Sequence, residues 1–224
     1  MNSETAVIIC AGPSLDAMPA RVWERVAEAG AIVAVNGAIA AEACKAVKFT
    51  YVSAMDASDG LGKKVPRFDE LWATTPAWRL GLLGGESVSA ETYIREVDER
   101  DGVEGWSDDP DAGYAGGSSA MVTVNWLCNE WSGGLQPAGG LKAAAPRGFR
   151  RVAFLGLDMV PGQGGHARGA GNHTSGFASS LEHFLRASRG WEKVCRQAAL
   201  RGIEIVNLSP GTGLRAMPRA ELPR

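Results

Sequence analysis

The chain contains three histidines, and all of them, His166, His173 and His183, fall between positions 166 and 183. An imidazole that is neutral near pH 7 can take a proton from a hydroxyl, so this cluster suits general-base chemistry on an alcohol acceptor. His166 and His173 stand in a glycine-dense stretch, 161–176, whereas His183 stands in a longer amphipathic pattern and reads as structural. Zinc is the rival use of paired imidazoles. His166 and His173 are seven apart, with no cysteine or glutamate at ligand spacing, and no metal site is assigned to them.

A second set of residues could hold an anion. Gly12-Pro13-Ser14-Leu15 follows an apolar run and precedes a helical pattern, an arrangement in which backbone N–H groups and a helix start can cradle a phosphate. A plain turn capped by Ser14 explains the same residues. Neither Gly-x-Gly-x-x-Gly nor a Walker sequence ending in Gly-Lys-Ser/Thr occurs, which removes support for nicotinamide chemistry and for P-loop hydrolysis. Asn36 and Asp56 end two further apolar runs. An amide there can read a base or ribose edge, and a carboxylate can accept from hydroxyls or hold a divalent ion, although either can simply cap a turn. Gly116-Gly117-Ser118-Ser119 is a second candidate anion cradle or an N-cap, and Asp158, in Gly156-Leu157-Asp158-Met159, is another polar residue past an apolar run.

The elements that must position these residues alternate strand and helix. Thr5–Cys10, 31–35 and 48–53 read as buried strands, 16–30 as a crossover helix and 38–45 as a short one. Residues 57–117 are irregular, with one candidate strand at 71–78, and are expected to form an insertion or lid. Regular patterns resume with a helix over 119–131, a strand over 151–157, a long amphipathic helix over 181–201 and a last strand over 203–208. This order predicts a single α/β domain spanning 1–224, with a Rossmann-like, mostly parallel sheet and helices on both faces. In such sheets ligands bind beyond the carboxyl ends of the strands, where most of the residues above fall.

Composition narrows the partners. A formal net charge of −2 and a pI near 6.0 give no global basic field for nucleic acid. The four cysteines are scattered without a Cys-x-x-Cys pair and read as reduced core thiols. No basic segment followed by an apolar stretch opens the chain, and no run of about 18 apolar residues occurs, so no membrane span is expected and the cytoplasm is the expected compartment.

Taken in order, these motifs resemble the bacterial lipooligosaccharide sialyltransferases and the related 6-hydroxymethylpterin diphosphokinase-like proteins, many of them from phages. Gly12-Pro13-Ser14-Leu15 is similar to the loop that opens the nucleotide site of that family, and Asn36 and Asp56 look like its next strand-end polar residues. Gly117-Ser118-Ser119 is similar to its Ser-rich helix start, Gly156-Leu157-Asp158-Met159 to its Gly-Ile-Asp-Phe signature, and 207–212 to its closing segment. His173 occupies the place of the histidine base. Aromatic residues follow Gly-Ile-Asp in the sialyltransferases, whereas Met159-Val160-Pro161 stand here, and the closing run looks more like the phage and prophage members.

The resemblance implies a nucleotide-sugar-dependent glycosyltransferase. Its catalytic candidates are His173, His166 and Asp56; its donor-binding candidates are Gly12, Pro13, Ser14, Leu15, Asn36, Ser118, Ser119, Gly156, Asp158 and Ser209. The acceptor would be a hydroxyl on a glycan, a small molecule or a hydroxymethylated base of phage DNA. For the last of these, seven tryptophans and the basic runs 147–151 and 215–219 would supply a local surface. The diphosphokinase relatives imply a second reading, magnesium-dependent pyrophosphoryl transfer with Asp56 and Asp158 as ligands. A non-catalytic phage structural module is the third.

Overall fold

A computed structural model describes residues 3–54, 64–76, 78–81, 120, 123–124, 127–128, 148–160, 165–171 and 181–220. Six strands form one sheet: β1 (Thr5–Ile9), β2 (Ala31–Val35), β3 (Tyr51–Ala54), β4 (Trp78–Gly81), β5 (Arg151–Leu155) and β6 (Glu204–Asn207), in the order β4-β3-β2-β1-β5-β6. Every pairing is parallel, so the chain has the Rossmann-like α/β fold that its patterning implies.

All five residues of β1 and of β2 are buried, as continuous Val/Ile/Ala runs demand when both faces of a sheet are covered. Strand alternation sends them to two separate cores. Ala6, Ile8, Val33, Tyr51, Val152 and Phe154 face one side, packing with the helical residues Ala120, Val124 and Leu127 and with α3 (Leu181–Leu200). Val7, Ile9, Ile32, Ala34, Val52 and Leu155 face the other, under α1 (Ala20–Val26) and α2 (Phe68–Thr74).

The long helix α3 buries Ala187, Trp191, Val194 and Ala198, a stripe at helical spacing, and the Trp191 ring meets Phe154 edge-on at 5.2 Å. It ends where Gly202 adopts φ +69, with the Gly202 and Ile203 N–H groups donating to Ala199 and Ala198 carbonyls. That paired C-terminal cap turns the chain directly into β6.

Several local expectations change. The helix expected over 16–30 is split by Pro19, which lacks an N–H and holds Met18 extended (φ −67, ψ 125), leaving a 3-10 turn at Pro13–Ala17 and the seven-residue α1. The short helix expected over 38–45 is instead two 3-10 turns, Asn36–Ala40 and Glu42–Cys44, interrupted by extended Ala41. The strand expected at 71–78 is a helix: Phe68 is buried and Leu71 packs on the same core, with Asp69 and Glu70 in the first turn where the helix N-terminus favours acidic groups. The strand itself, β4, begins at Trp78 and pairs with β3, so part of the 57–117 segment forms the edge of the sheet. The rest of that segment, 57–63, 77 and 82–117, lies outside the described residues.

None of the four cysteines forms a disulfide; Cys10, Cys44 and Cys128 are buried and Cys195 is half-buried. Between β3 and the helical residues, the Ser53 and Thr123 hydroxyls share a buried hydrogen bond of 2.8 Å. Thr123→Val keeps the shape but strands the Ser53 hydroxyl in the core, and is expected to cost about 1–3 kcal/mol in chemical denaturation.

Candidate functional site

The chain leaves β1 toward β2 on one side and returns to β5 on the other, so the carboxyl ends of β1 and β5 form the topological switch point of the sheet. Pairing continues past the strands. The Cys10 N–H donates to Leu155 O at 2.8 Å and the Gly12 N–H to Gly156 O at 2.9 Å, joining the two exit loops. Both glycines are required by this approach. A side chain on Gly12 would overlap Gly156 O and the Asp158 carboxylate; one on Gly156, which has φ +68, would overlap Cys10 O.

At the crossing of the loops the Ser14 N–H donates to Asp158 Oδ2 at 2.8 Å. Asp158 is only 7% exposed, and among the described residues its Oδ1 has no hydrogen-bond partner. Burial raises the Asp158 carboxyl above its ordinary range, an effect that the Ser14 hydroxyl and backbone N–H, both close to the carboxylate, partly offset. Below it, the Cys10 thiol is pushed up to about 12 by burial and by the Asp158 charge, so it stays protonated and is no nucleophile at neutral pH.

The sequence reading of Gly12–Leu15 as a phosphate cradle on a helix start is therefore altered in two respects. The loop opens a five-residue 3-10 turn and not an α-helix, so no long helix dipole is aimed at it. The Ser14 N–H is already directed at a carboxylate. Pro13 starts the turn, where its missing N–H costs nothing, and Leu15 points into the core at 1% exposure.

The turn that carries Asp158 is held from beneath by the end of β6. Asn207 Nδ2 donates to Leu157 O at 2.9 Å and to Thr212 Oγ1 at 3.1 Å, while its Oδ1 accepts from the Ser209 N–H at 2.9 Å. The Ser209 hydroxyl accepts from the Leu157 N–H at 3.0 Å, and the Thr212 hydroxyl reaches the Leu157 and Asp158 carbonyls, both at 3.0 Å. Ser209, a donor-binding candidate, thus spends its hydroxyl on this scaffold. Asn207 and Thr212, which lie in the same closing segment but are not among the donor-binding candidates, carry as much of it; three small hydrogen-bonding side chains closing an apolar strand are the signal in the sequence. The network holds Met159 at φ 44, an unusual conformation for that residue.

A strap over 165–171 crosses the same edge. The Ala167 N–H donates to Ala11 O at 2.8 Å, the Arg168 N–H donates to the Asp16 carboxylate at 3.1 and 3.2 Å, and Arg168 O accepts from the Glu42 N–H at 2.7 Å. Gly169 and Gly171, at φ +83 and +75, let the strap lie against Ala40 and Lys64. Half-buried His166 is thereby anchored beside the exit of β1 through its neighbour Ala167. Asn36 stands half-buried at the exit of β2 with φ 51, a left-handed conformation that asparagine tolerates. The structure thus brings Gly12–Leu15, Asn36, Gly156, Asp158, His166 and Ser209 to one edge; His173, Asp56, Ser118 and Ser119 lie outside the described residues. His183 lies in α3.

Among the described residues no group of three or more His, Cys, Asp or Glu side chains is arranged to hold a metal ion, and no helix is long and apolar enough to cross a membrane. No family model matches the chain, and neither a curated protein nor a solved structure matches it. The fold defines the class, a Rossmann-like α/β protein in which the loops leaving the first and fifth strands are joined by a hydrogen bond from Ser14 to Asp158.

The raised carboxyl of Asp158 makes a test of that site. A folded-state value above the unfolded one means that stability present below the unfolded value is lost as pH rises through the folded one. Asp158→Asn, which cannot ionise, is expected to gain in melting temperature relative to the parent as pH rises above about 3.8 toward neutrality. A difference independent of pH would show that Asp158 does not carry this charge penalty.

Proposed function

We propose that the chain is a nucleotide-sugar-dependent glycosyltransferase whose donor lies across the carboxyl ends of β1, β2 and β5. One observation carries the reading: motifs far apart in sequence, Gly12–Leu15, Asn36, Gly156–Asp158 and His166, meet at a single sheet edge, where the Ser14 N–H donates to the buried Asp158 carboxylate. The motif order shared with the sialyltransferase-like family supplies the chemistry, because fold alone does not fix function.

In this mechanism an acceptor hydroxyl attacks the anomeric carbon of the donor sugar. The new carbon–oxygen bond forms as the bond to the nucleotide phosphate breaks, and its electron pair leaves with the phosphate. His173, or His166 on the anchored strap, takes the acceptor proton. The Ser118–Ser119 segment, the second candidate anion cradle of the sequence, is the group assigned to stabilise the leaving phosphate.

The test is thermal shift against CMP, UDP, GDP and the nucleoside triphosphates. Binding of one nucleotide at about 100 times its Kd is expected to stabilise the fold by about 2.7 kcal/mol, roughly 5–10 °C for a chain of this size. Silence across the whole panel would sink the enzyme reading and favour a structural module.

A further inference from the structure

We infer that the outward side of α3 docks on an anionic lipid surface, as a peripheral contact that needs no membrane-spanning segment. The inference is independent of the glycosyltransferase reading, because it concerns a surface which that reading does not use.

The buried stripe Ala187, Trp191, Val194 and Ala198 fastens α3 to the sheet, so the opposite side of the helix is turned outward. Leu185, Arg189, Arg196 and Leu200, spaced four, seven and four residues apart, lie along that side over about 22 Å, and all four are exposed. Leu181 begins the same helix. Leu181, Leu185 and Leu200 are 61, 48 and 76% exposed, and among the described residues the exposed large apolar side chains are these three. Scattered singly over a surface, such leucines would need no explanation; gathered on one helix, they mark a surface that is covered in use.

Charge indicates what covers it. Residues 181–201 include five basic and two acidic residues, a net charge of +3 in a chain whose net charge is −2. Arg186 and Lys193 occupy helix positions that border the outward side. Exposed Arg150, just before β5, adds a cation at the far end of the helix, where its guanidinium donates to the Arg201 carbonyl at 3.5 Å. A second copy of this chain would meet the face with like charge, which opposes self-association. The phosphates of a nucleic acid would take the cations and leave the leucines without a counterpart. An anionic bilayer takes both, because its headgroups attract the guanidinium groups while leucines enter the boundary of the acyl region.

Co-sedimentation of the full chain with lipid vesicles tests the inference. One preparation is phosphatidylcholine alone and the other is phosphatidylcholine and phosphatidylglycerol in equal parts. The chain is expected to pellet with the anionic vesicles only, and less as salt rises and screens the headgroups. Replacing both Arg189 and Arg196 by Ala is expected to lower the partition coefficient by about 25-fold, on a scale of roughly fivefold for each basic residue. Replacing both Leu185 and Leu200 by Ser is expected to lower it by about tenfold or more at every salt concentration, because that part of the binding is apolar. These exposed positions lie off the stripe that holds the helix, so both variants should melt within about 2 °C of the parent. Should either pair fail to fold, the single changes Arg196→Gln and Leu200→Gln keep the comparison. Binding to neither preparation, equal binding to both, or binding that neither pair weakens overturns the inference. Duplex DNA that binds at the same salt, with the arginine pair needed and the leucine pair not, reassigns the face to nucleic acid and also overturns it. A dimer in analytical ultracentrifugation that the leucine pair abolishes overturns it in favour of a second copy.

Discussion

Gly156→Ala is expected to destabilise the chain by about 3 kcal/mol or more, seen as a fall in melting temperature of roughly 6–12 °C. Two costs combine. At φ +68 an L side chain is strained wherever it has space, and here it has none, because its Cβ would overlap the Cys10 carbonyl oxygen. Relief requires β1 and β5 to part at their exits, which breaks the bonds from Cys10 to Leu155 and from Gly12 to Gly156. It also withdraws Asp158 from Ser14, so nucleotide response should fall with stability. A variant that melts within about 1 °C of the parent would show that the exit loops are not locked together in this way.

Under the proposed glycosyltransferase function, removal of the histidine assigned as base is expected to have the largest effect on turnover. His173→Ala should lower kcat by about 10²- to 10⁴-fold with donor binding retained, the usual range for a positioned general base. His166→Ala is the matched comparison. Its neighbour Ala167 is bonded to Ala11 and Arg168 is bonded to Asp16, so the strap that carries His166 is held near the exit of β1 by bonds of its neighbours. The substitution should therefore leave the strap in place. The variant that loses the acid limb of its kcat/KM profile along with its rate identifies the base. Near-normal turnover in both would remove histidine from the mechanism.

How much of this was legible in the residues varies along the chain. Short, wholly apolar runs such as 5–9 and 31–35 announce buried parallel strands, because no other element of that length buries both faces. Their polar and glycine endings then place Gly12, Asn36 and Asp158 at one edge. Helices were harder to read. Pro19 decides where α1 begins through one missing N–H and one steric clash, although the apolar spacing around it looks continuous. At 68–74 a short apolar pattern suits strand or helix equally, and packing of Phe68 and Leu71 on a core built by other segments selects the helix.

The phosphate-loop reading of Gly12-Pro13-Ser14-Leu15 shows the same division. Strand length, Gly12 and Pro13 are local properties, and they are enough to set a tight, glycine-dependent turn at the exit of β1. The partner of that turn is set by contacts distant in sequence. Ser14 meets a carboxylate 144 residues away, and the two are brought together by the return of the chain to β5 on the far side of β1. No local pattern encodes such a contact, because its energy comes from register between strands and from the Asn207, Ser209 and Thr212 bonds that hold the Asp158 turn.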